Sequence, residues 1–269
     1  MPIAKSGDVR ISYEIRNSES SEIPVFFISG LAGTRHGCLK QAAYFETKRP
    51  VILHDHRGTG ESDKPPGVYS VPSMARDVIE IMDSSGIAKA HLVGMSTGGA
   101  IIQNLCLDFQ ERVQSAVLCC TWPRTDSFFR RQFEARKEVI LKLGPDFAAR
   151  QASTTLYDPE YFALNYDQIV ALENFAIENS PPAQILAERI DAIVAHDLWQ
   201  LLPQINRPVL VSCAKNDVVT PPYFSKQLAK LIPNAQLEIF EKGGHFFFIS
   251  EAEEFNAKVD DFLCEWDRV

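Results

Sequence analysis

Short continuous runs of apolar residues recur along the chain, and segments with helical periodicity separate them. The apolar runs are 24–29 (PVFFIS), 51–53 (VIL), 90–93 (AHLV), 116–120 (AVLCC), 208–213 (PVLVSC) and 236–240 (QLEIF). Runs of this length are typical of strands that are buried on both faces, as in a parallel sheet. Residues 9–16 instead alternate apolar and polar side chains, which indicates an early antiparallel strand. Strands that alternate with helices predict an α/β fold with a mostly parallel sheet.

Helical patterns fill the segments between these runs. Residues 73–85 begin with Ser73 and end near Gly86, as expected of a capped helix. Residues 98–110 and 222–231 also have a helical pattern. In the C-terminal segment 252–266 the apolar side chains that share one stripe are Phe255, Val259, Phe262, Leu263 and Trp266.

The alternation of strand and helix stops between Trp122 and Leu201, where the sequence predicts several helices and no buried strand. We therefore divide the chain into a core domain, residues 1–121 and 202–269, and a helical cap, residues 122–201. An insertion after a sheet strand lies at the carboxyl edge, where open α/β sheets bind ligands, so we favour a lid over a pocket. The alternative is a helical excursion that only packs against the sheet.

Charge and composition exclude several classes of partner. The formal net charge is −8 and the calculated pI is about 5.3, with no basic run, so nucleic acid and anionic membranes are poor candidates. No apolar stretch approaches the roughly 20 residues of a membrane helix. The N-terminal segment has no apolar core of a secretory signal, so we expect a cytoplasmic protein. The cysteines form no C-x-x-C pair and are interpreted as buried small apolar residues of a reducing compartment. They are Cys38, Cys106, Cys119, Cys120, Cys213 and Cys264.

The segment HLVGMSTGG has the pattern of a nucleophile turn. Ser96 stands between Gly94 and Gly98, after an apolar strand and before the helical run that starts near residue 98. A tight strand-to-helix turn needs small residues beside the serine, and it projects the hydroxyl at the top of the sheet. The alternatives are a glycine-rich turn with an idle serine or a phosphate-binding loop, for which the G-x-G-x-x-G spacing is absent.

A serine hydroxyl is a weak nucleophile and needs an adjacent base. His245 follows the strand QLEIF, and Asp217 follows the strand PVLVS. Both leave the carboxyl ends of strands, so they can converge on Ser96 with His245 as the base and Asp217 as its orienting acid. Asp126, which follows the preceding strand, is the alternative acid. Taken singly, the aspartate would be interpreted as part of a turn and the histidine as a surface residue.

Acyl transfer also requires donors for an oxyanion. We predict one donor at the backbone N–H of Thr97, the residue after the nucleophile. The second is predicted at Leu31, in the loop that follows the strand PVFFIS, where Gly30 lets the backbone approach a substrate closely.

The order serine, aspartate, histidine and the sequence Asp55-His56-Arg57-Gly58-Thr59-Gly60-Glu61-Ser62, which resembles a D-x-R-G-x-G-x-S turn, identify the chain as similar to the α/β-hydrolase superfamily. The resemblance implies a mostly parallel eight-stranded sheet flanked by helices, with the cap inserted after strand six. The chain departs from the family at Ser29-Gly30, where the family often has His-Gly. The helical segment TLYDPEYFALNYDQIVALENF resembles the aminoacrylate and carbamate hydrolases of pyrimidine breakdown, and also 3-oxoadipate enol-lactonases. That resemblance implies small polar substrates and no cofactor.

Candidate substrate-binding residues line the predicted pocket: Gly30, Trp122, Arg124, Arg130 and Phe246. With Arg131, the two cap arginines are candidates for a substrate carboxylate, although a solvated helix face is the commoner place for such charges. His54 and His56 form an H-x-H pair without an evident third ligand, so we expect no metal. The role of His36 stays open.

The function predicted from these residues is hydrolysis of a small ester, lactone, amide or carbamate, with ester or lactone first. Cofactor-free dioxygenases and hydroxynitrile lyases resemble this pattern and use the histidine as a base, so they remain alternatives, as does a ligand receptor on the same fold. Ser96 excludes dehalogenases and epoxide hydrolases, which carry aspartate at this turn. The expected partner is a small-molecule substrate, and the oligomeric state is left open, with a homodimer as one alternative.

Overall fold

The computed structural model describes residues 1–67 and 69–267, which contain a single β-sheet with helices on both faces. The strands are β1 (Ile3–Ser6), β2 (Val9–Arg16), β3 (Val25–Ile28), β4 (Val51–His54), β5 (Ala90–Met95), β6 (Val113–Cys119), β7 (Val209–Ala214) and β8 (Gln236–Phe240). The helices are α1 (Leu39–Phe45), α2 (Val71–Ser84), α3 (Thr97–Asp108), α4 (Ser127–Leu143), α5 (Pro145–Leu156), α6 (Pro159–Leu164), α7 (Tyr166–Glu178), α8 (Ala183–Val194), α9 (Pro222–Leu231), α10 (Phe247–Ser250) and α11 (Ala252–Glu265).

The strand order in the sheet is β1-β2-β4-β3-β5-β6-β7-β8. β1 pairs with β2, and β2 pairs with β4, in antiparallel fashion, and every other pairing is parallel. The predicted α/β fold with an eight-stranded, mostly parallel sheet is confirmed. β1 was not among the predicted strands because its four residues are too few to show a pattern. β5 lies in the interior of the sheet, so the turn that follows it opens at the middle of the carboxyl edge.

The two faces of the sheet are both apolar, as the continuous runs predicted. In β3, Phe26 and Ile28 pack into the layer formed with α2, α3 and α9, whereas Phe27 packs into the layer formed with α1 and α11. Successive side chains of a strand point to opposite faces, so a strand covered on both sides must be apolar at every position.

Most helix boundaries follow the predicted ones, and α2 is the clearest exception. It begins at Val71 rather than at Ser73, because Ser70 is the N-cap and its side chain accepts a hydrogen bond from the Ser73 backbone. Ser73 closes the capping box by accepting, through its own hydroxyl, a bond from the Ser70 N–H. The helix 222–231 has the bounds predicted from the sequence.

Helices α4 to α8, here called the cap helices, lie between β6 and β7. An isolated antiparallel bridge between Arg124 and Asp197 joins the two chain segments that enter and leave them. Large apolar side chains of the cap helices and their connections are unusually exposed: Phe128, Leu141, Leu143, Phe147, Leu164, Tyr166, Leu172 and Phe175.

Two further expectations concern surface and membrane. Cys264 is exposed, so the interpretation of every cysteine as buried is wrong at this position, which lies on the outer face of α11. The other cysteines are buried, and no disulfide bond is present among the described residues. Within residues 1–67 and 69–267, no helix combines the length and the apolar character needed to cross a bilayer.

Candidate active site

Ser96 occupies the sharp turn between β5 and α3, with a positive φ of 55°. A non-glycine residue with positive φ is uncommon and is held only where its surroundings over-determine it. Here the Ser96 N–H donates to Cys119 O at 2.8 Å, which ties the turn to β6. A Cβ on Gly94 would lie 2.4 Å from the Gly98 carbonyl carbon, and one on Gly98 would lie 1.9 Å from Ile28 O. The flanking glycines are therefore required by contact between backbones.

His245 and Asp217 meet at the carboxyl edge of the sheet. His245 lies in a short 3₁₀ turn after β8, and Asp217 lies in the loop after β7. The His245 Nδ1–H donates to Asp217 Oδ2 at 2.9 Å, and both side chains are almost fully buried. The bond fixes the tautomer that leaves Nε2 unprotonated in the neutral ring, which is the form a general base requires.

The Asp217 carboxylate is held by its own loop. Its Oδ1 accepts from the N–H groups of Val219 at 2.8 Å and Thr220 at 3.0 Å. The Thr220 hydroxyl lies 2.9 Å from Asp217 Oδ2 and 2.9 Å from Cys120 O, at the end of β6. Sequence reasoning did not find Thr220, although a hydroxyl three residues after an aspartate in a turn is a signal that could have found it.

The electrostatics of His245 are a competition between burial and charge. Burial of the ring lowers its pKa, but the adjacent Asp217 carboxylate outweighs it and raises the pKa of His245 to about 9. Asp217 is therefore a partner that stabilises the imidazolium formed when the histidine accepts a proton.

The predicted alternative acid, Asp126, makes its hydrogen bonds to other residues. Asp126 is the N-cap of α4, where its Oδ1 accepts from the Phe129 N–H at 2.9 Å. Its other oxygen accepts from the Tyr223 hydroxyl at 2.6 Å. Among the described residues, the carboxylate bonded to His245 is that of Asp217.

The predicted oxyanion donors lie on two segments that meet at Ser96. Thr97 is the first residue of α3, so its N–H has no acceptor within the helix. Across from it, a Cβ added to Gly30 would lie 3.6 Å from Ser96 Cβ, which shows how closely this loop approaches the serine. The Gly33 N–H donates to Gly30 O at 3.0 Å, and this bond fixes the peptide plane that also carries the Leu31 N–H.

Two buried histidines, His54 and His56, hold the loop that follows β3. His56 Nε2 donates to Ser29 O at 2.9 Å, and the carbonyl can only accept, so His56 Nδ1 accepts from His54 Nε2 at 3.2 Å. Burial lowers the pKa of His54 to about 3, and burial together with the charge of neighbouring groups also lowers that of His56. Both rings are neutral, and they position the Ser29 backbone.

Arg189, from the cap helix α8, also binds the loop that follows β3. Arg189 of α8 is fully buried; its Nε donates to Leu31 O at 2.7 Å and its Nη1 donates to Arg57 O at 2.6 Å. Sequence reasoning missed this residue. The available signal was an arginine on the apolar stripe of α8, beside Leu186, Ile190 and Ile193.

A family model of the α/β-hydrolase fold matches residues 23–252 of this chain. The chain belongs to the α/β-hydrolase family. A protein of Azorhizobium caulinodans named "Putative carbamate hydrolase RutD" is 34% identical over 268 residues, covering all of both chains. A protein of the same name from Caulobacter vibrioides is 33% identical, with 89% of each chain covered. The enol-lactonase from Burkholderia xenovorans LB400 has the same fold, with a TM-score of 0.91, 24% identity and coverage of 98% of this chain and 100% of that one.

These relatives confirm the predicted resemblance and show that the chain is a hydrolase. The cap arginines that were predicted to bind substrate lie on the surface of the protein. Arg124 and Arg130 are exposed, and the guanidinium of Arg124 stacks on the ring of Trp199 at 4.1 Å. Arg131 is exposed as well. Arg130 follows Phe129, which packs inward, and with about 3.6 residues per turn the next positions turn away from the buried side.

Two aromatic predictions also differ in outcome. Trp122 is fully buried, and its ring packs against that of Phe129 in α4, with the centroids 4.4 Å apart. Phe246 is half-buried beside His245, and its ring packs edge-on against Tyr157 at 5.2 Å. His36 is exposed and contacts Phe175 of α7 with ring centroids 5.2 Å apart.

Proposed function

We propose that the protein is a serine hydrolase that cleaves a small ester, lactone, amide or carbamate through an acyl-enzyme on Ser96. The observation that carries the proposal is the buried His245–Asp217 bond at the sheet edge where the strained Ser96 turn opens. Such a base activates a serine hydroxyl, and a buried carboxylate holds the base in the productive tautomer.

In the proposed reaction, His245 Nε2 takes the Ser96 proton as the hydroxyl attacks the substrate carbonyl. The N–H groups of Thr97 and Leu31 stabilise the resulting oxyanion, and His245 then gives its proton to the leaving group. Water attacks the acyl-enzyme in the second half of the reaction, with His245 again as base. Asp217 stays ionised and stabilises the imidazolium throughout.

The leaving group separates the substrate classes. An amine needs a proton from His245 as its bond breaks, whereas an alkoxide or enolate needs it less. On that ground an ester or lactone is the first substrate to expect. The carbamate hydrolase name of the relatives at 34% and 33% identity favours a carbamate as the next class to test.

The experiment combines labelling with isotope transfer. A phosphonate probe should label Ser96 in the intact protein, as shown by peptide mass spectrometry, and Ser96→Ala should not be labelled. Hydrolysis of an ester in heavy-oxygen water should place one labelled oxygen in the product acid. Oxygen-dependent product formation without this label would show a dioxygenase that uses His245 as a base, and ligand binding without turnover of any ester, lactone, amide or carbamate would show a receptor.

A further inference from the structure

The buried stripe of α4 contains a basic residue. Phe129, Phe133 and Ile140 are buried, and they repeat with the spacing of one helix face. Arg136 falls between Phe133 and Ile140 in the same repeat and is half-buried. Arginine is unusual on such a stripe, because a charge that leaves water needs a partner.

Within residues 1–67 and 69–267, no hydrogen bond or ion pair is made to the Arg136 guanidinium. The adjacent Lys137 is half-buried as well, but it pairs with Asp191 of α8 at 2.6 Å. Burial lowers the pKa of Arg136, because a partly desolvated guanidinium loses some of the hydration that stabilises its charge. Arg136 is therefore a half-buried cation whose guanidinium has no hydrogen-bond or ion-pair partner among the described residues.

The face of α4 that carries Arg136 lies over the loop of Asp217. Gln132, one turn before Arg136, donates from Nε2 to Val219 O at 3.0 Å, and residues four apart lie on the same side of a helix. Val219 in turn donates to the Asp217 carboxylate. The pKa of His245 also responds to Arg136. Burial lowers the pKa of His245, Asp217 and Cys120 raise it, and the positive charge of Arg136 lowers it by a smaller amount.

We propose that Arg136 binds a carboxylate of the substrate, so that the hydrolase acts on small acyl compounds that carry a carboxylate besides the bond that is cleaved. This inference rests on the proposed function and names its substrate class. A guanidinium offers a planar pair of donors that matches a carboxylate, and the bound anion would supply the counter-charge that the protein lacks here. The anion then sits on the cap side while the scissile carbonyl sits at Ser96.

The test uses two 4-nitrophenyl esters with the same acyl chain of four to six carbons, one ending in a free carboxylate and one ending in its methyl ester. The quantity measured is the ratio of kcat/KM for the charged ester to that for the neutral ester. Arg136→Met should lower this ratio by roughly 10- to 100-fold, mainly through KM of the charged ester. Arg136→Lys keeps the positive charge but loses the planar pair of N–H donors, so it should lower this ratio less than Arg136→Met does.

Matched controls are Arg130→Met and Arg131→Met, which remove exposed arginines of the same helix and should leave the ratio within about twofold of the wild type. Thermal unfolding of each variant shows whether it is folded. A ratio that is the same in folded Arg136→Met as in the wild type would overturn the proposal.

A binding measurement separates this inference from the proposed function. Titration of a dicarboxylate of matching length, glutarate or adipate, into the protein needs no turnover. Binding by the wild type that is weakened roughly 10-fold or more in Arg136→Met would support the anion site even if no ester were hydrolysed. Equal binding, or none at millimolar concentration in either protein, would overturn it even if Ser96 were labelled and active.

Discussion

The two sides of the candidate site are held in different ways. On the sheet side, both oxygens of Asp217 have partners, and His245 Nδ1 lies within hydrogen-bonding distance of Asp217 Oδ2 and of the Thr220 hydroxyl. On the cap side, Arg189 binds only backbone carbonyls, and Arg136 has no partner among the described residues. Groups that transfer a proton need fixed geometry, whereas a group that recognises a substrate must keep its donors available. In the proposed function, this difference would place the chemistry at the sheet edge and the choice of substrate at the cap helices.

Removing the proposed nucleophile should have the largest effect. Ser96→Ala should lower kcat by about 10⁶-fold, the loss usual for a serine that acts as a unit with its base. Ser96 is half-buried in a turn fixed by its backbone, so the fold should persist, with unchanged near-ultraviolet circular dichroism. Retention of more than a few per cent of the wild-type kcat on an ester would remove Ser96 from the mechanism.

Asp217→Asn should lower kcat by roughly 10⁴-fold. The asparagine oxygen can keep the bonds from the N–H groups of Val219 and Thr220, which turns the amide NH₂ toward His245. The ring must then accept at Nδ1 and carry its proton on Nε2, which is the wrong tautomer for a base. Asp126→Asn is the matched control, because asparagine is an equally good N-cap and kcat should stay near the wild-type value. A large loss in the control with little loss in Asp217→Asn would reverse the two assignments.

A smaller effect on kcat is expected when the hydrogen bonds between α8 and the Leu31 loop are removed. Arg189→Met removes the partners of Leu31 O and Arg57 O and should lower kcat by roughly 10- to 100-fold, less than the loss of a whole oxyanion donor. KM should change little, and a boronic acid that mimics the tetrahedral state should bind correspondingly less tightly. Lys137→Met breaks an exposed ion pair between α4 and α8 and should change kcat by less than about twofold.

Arg189 is fully buried, so its variant needs a test of folding. If folded Arg189→Met lost affinity for substrate and boronic acid equally, the arginine would support binding in general instead of positioning Leu31. In that case the cap helices would not influence the position of the Leu31 N–H separately from substrate binding.

The pH profile is the mildest test of the comparison. The base must be neutral, and the Asp217 charge raises the pKa of His245 to about 9 against the effect of burial, so kcat/KM should rise with pH through that region. The residual activity of Asp217→Asn should reach its plateau at lower pH, because the carboxylate that stabilises the imidazolium is gone. A rising limb that does not move between the two proteins would show that another group controls it.

Local patterns predicted a large part of this fold and site. The strand PVFFIS, the Ser96 turn with its glycines, and the positions of Asp217 and His245 after strands all depend on residues close together in sequence. Helix bounds were less secure: Ser73 resembled an N-cap, but Ser70 holds that position because its side chain can reach the Ser73 N–H.

The arginines could not be assigned from local sequence. Arg124 and Arg130 lie in a basic part of the cap helices, and nothing in that pattern shows which side chains point inward. Arg136 and Arg189 interrupt apolar stripes, which is a weak signal of burial, but their contacts depend on how α4 and α8 pack.

The sequence by itself determined the alternation of strands and helices, the tight turn at Ser96 and the chain order of the acid and base, because backbone sterics and side-chain periodicity act over a few residues. Only the tertiary structure decided that His245 bonds to Asp217 and not to Asp126, that Arg189 binds the Leu31 carbonyl, and that Arg136 is half-buried with no ion-pair partner among the described residues. Contacts of this kind join residues far apart in the chain, and their energies depend on burial and on the packing of whole helices, which no local pattern encodes.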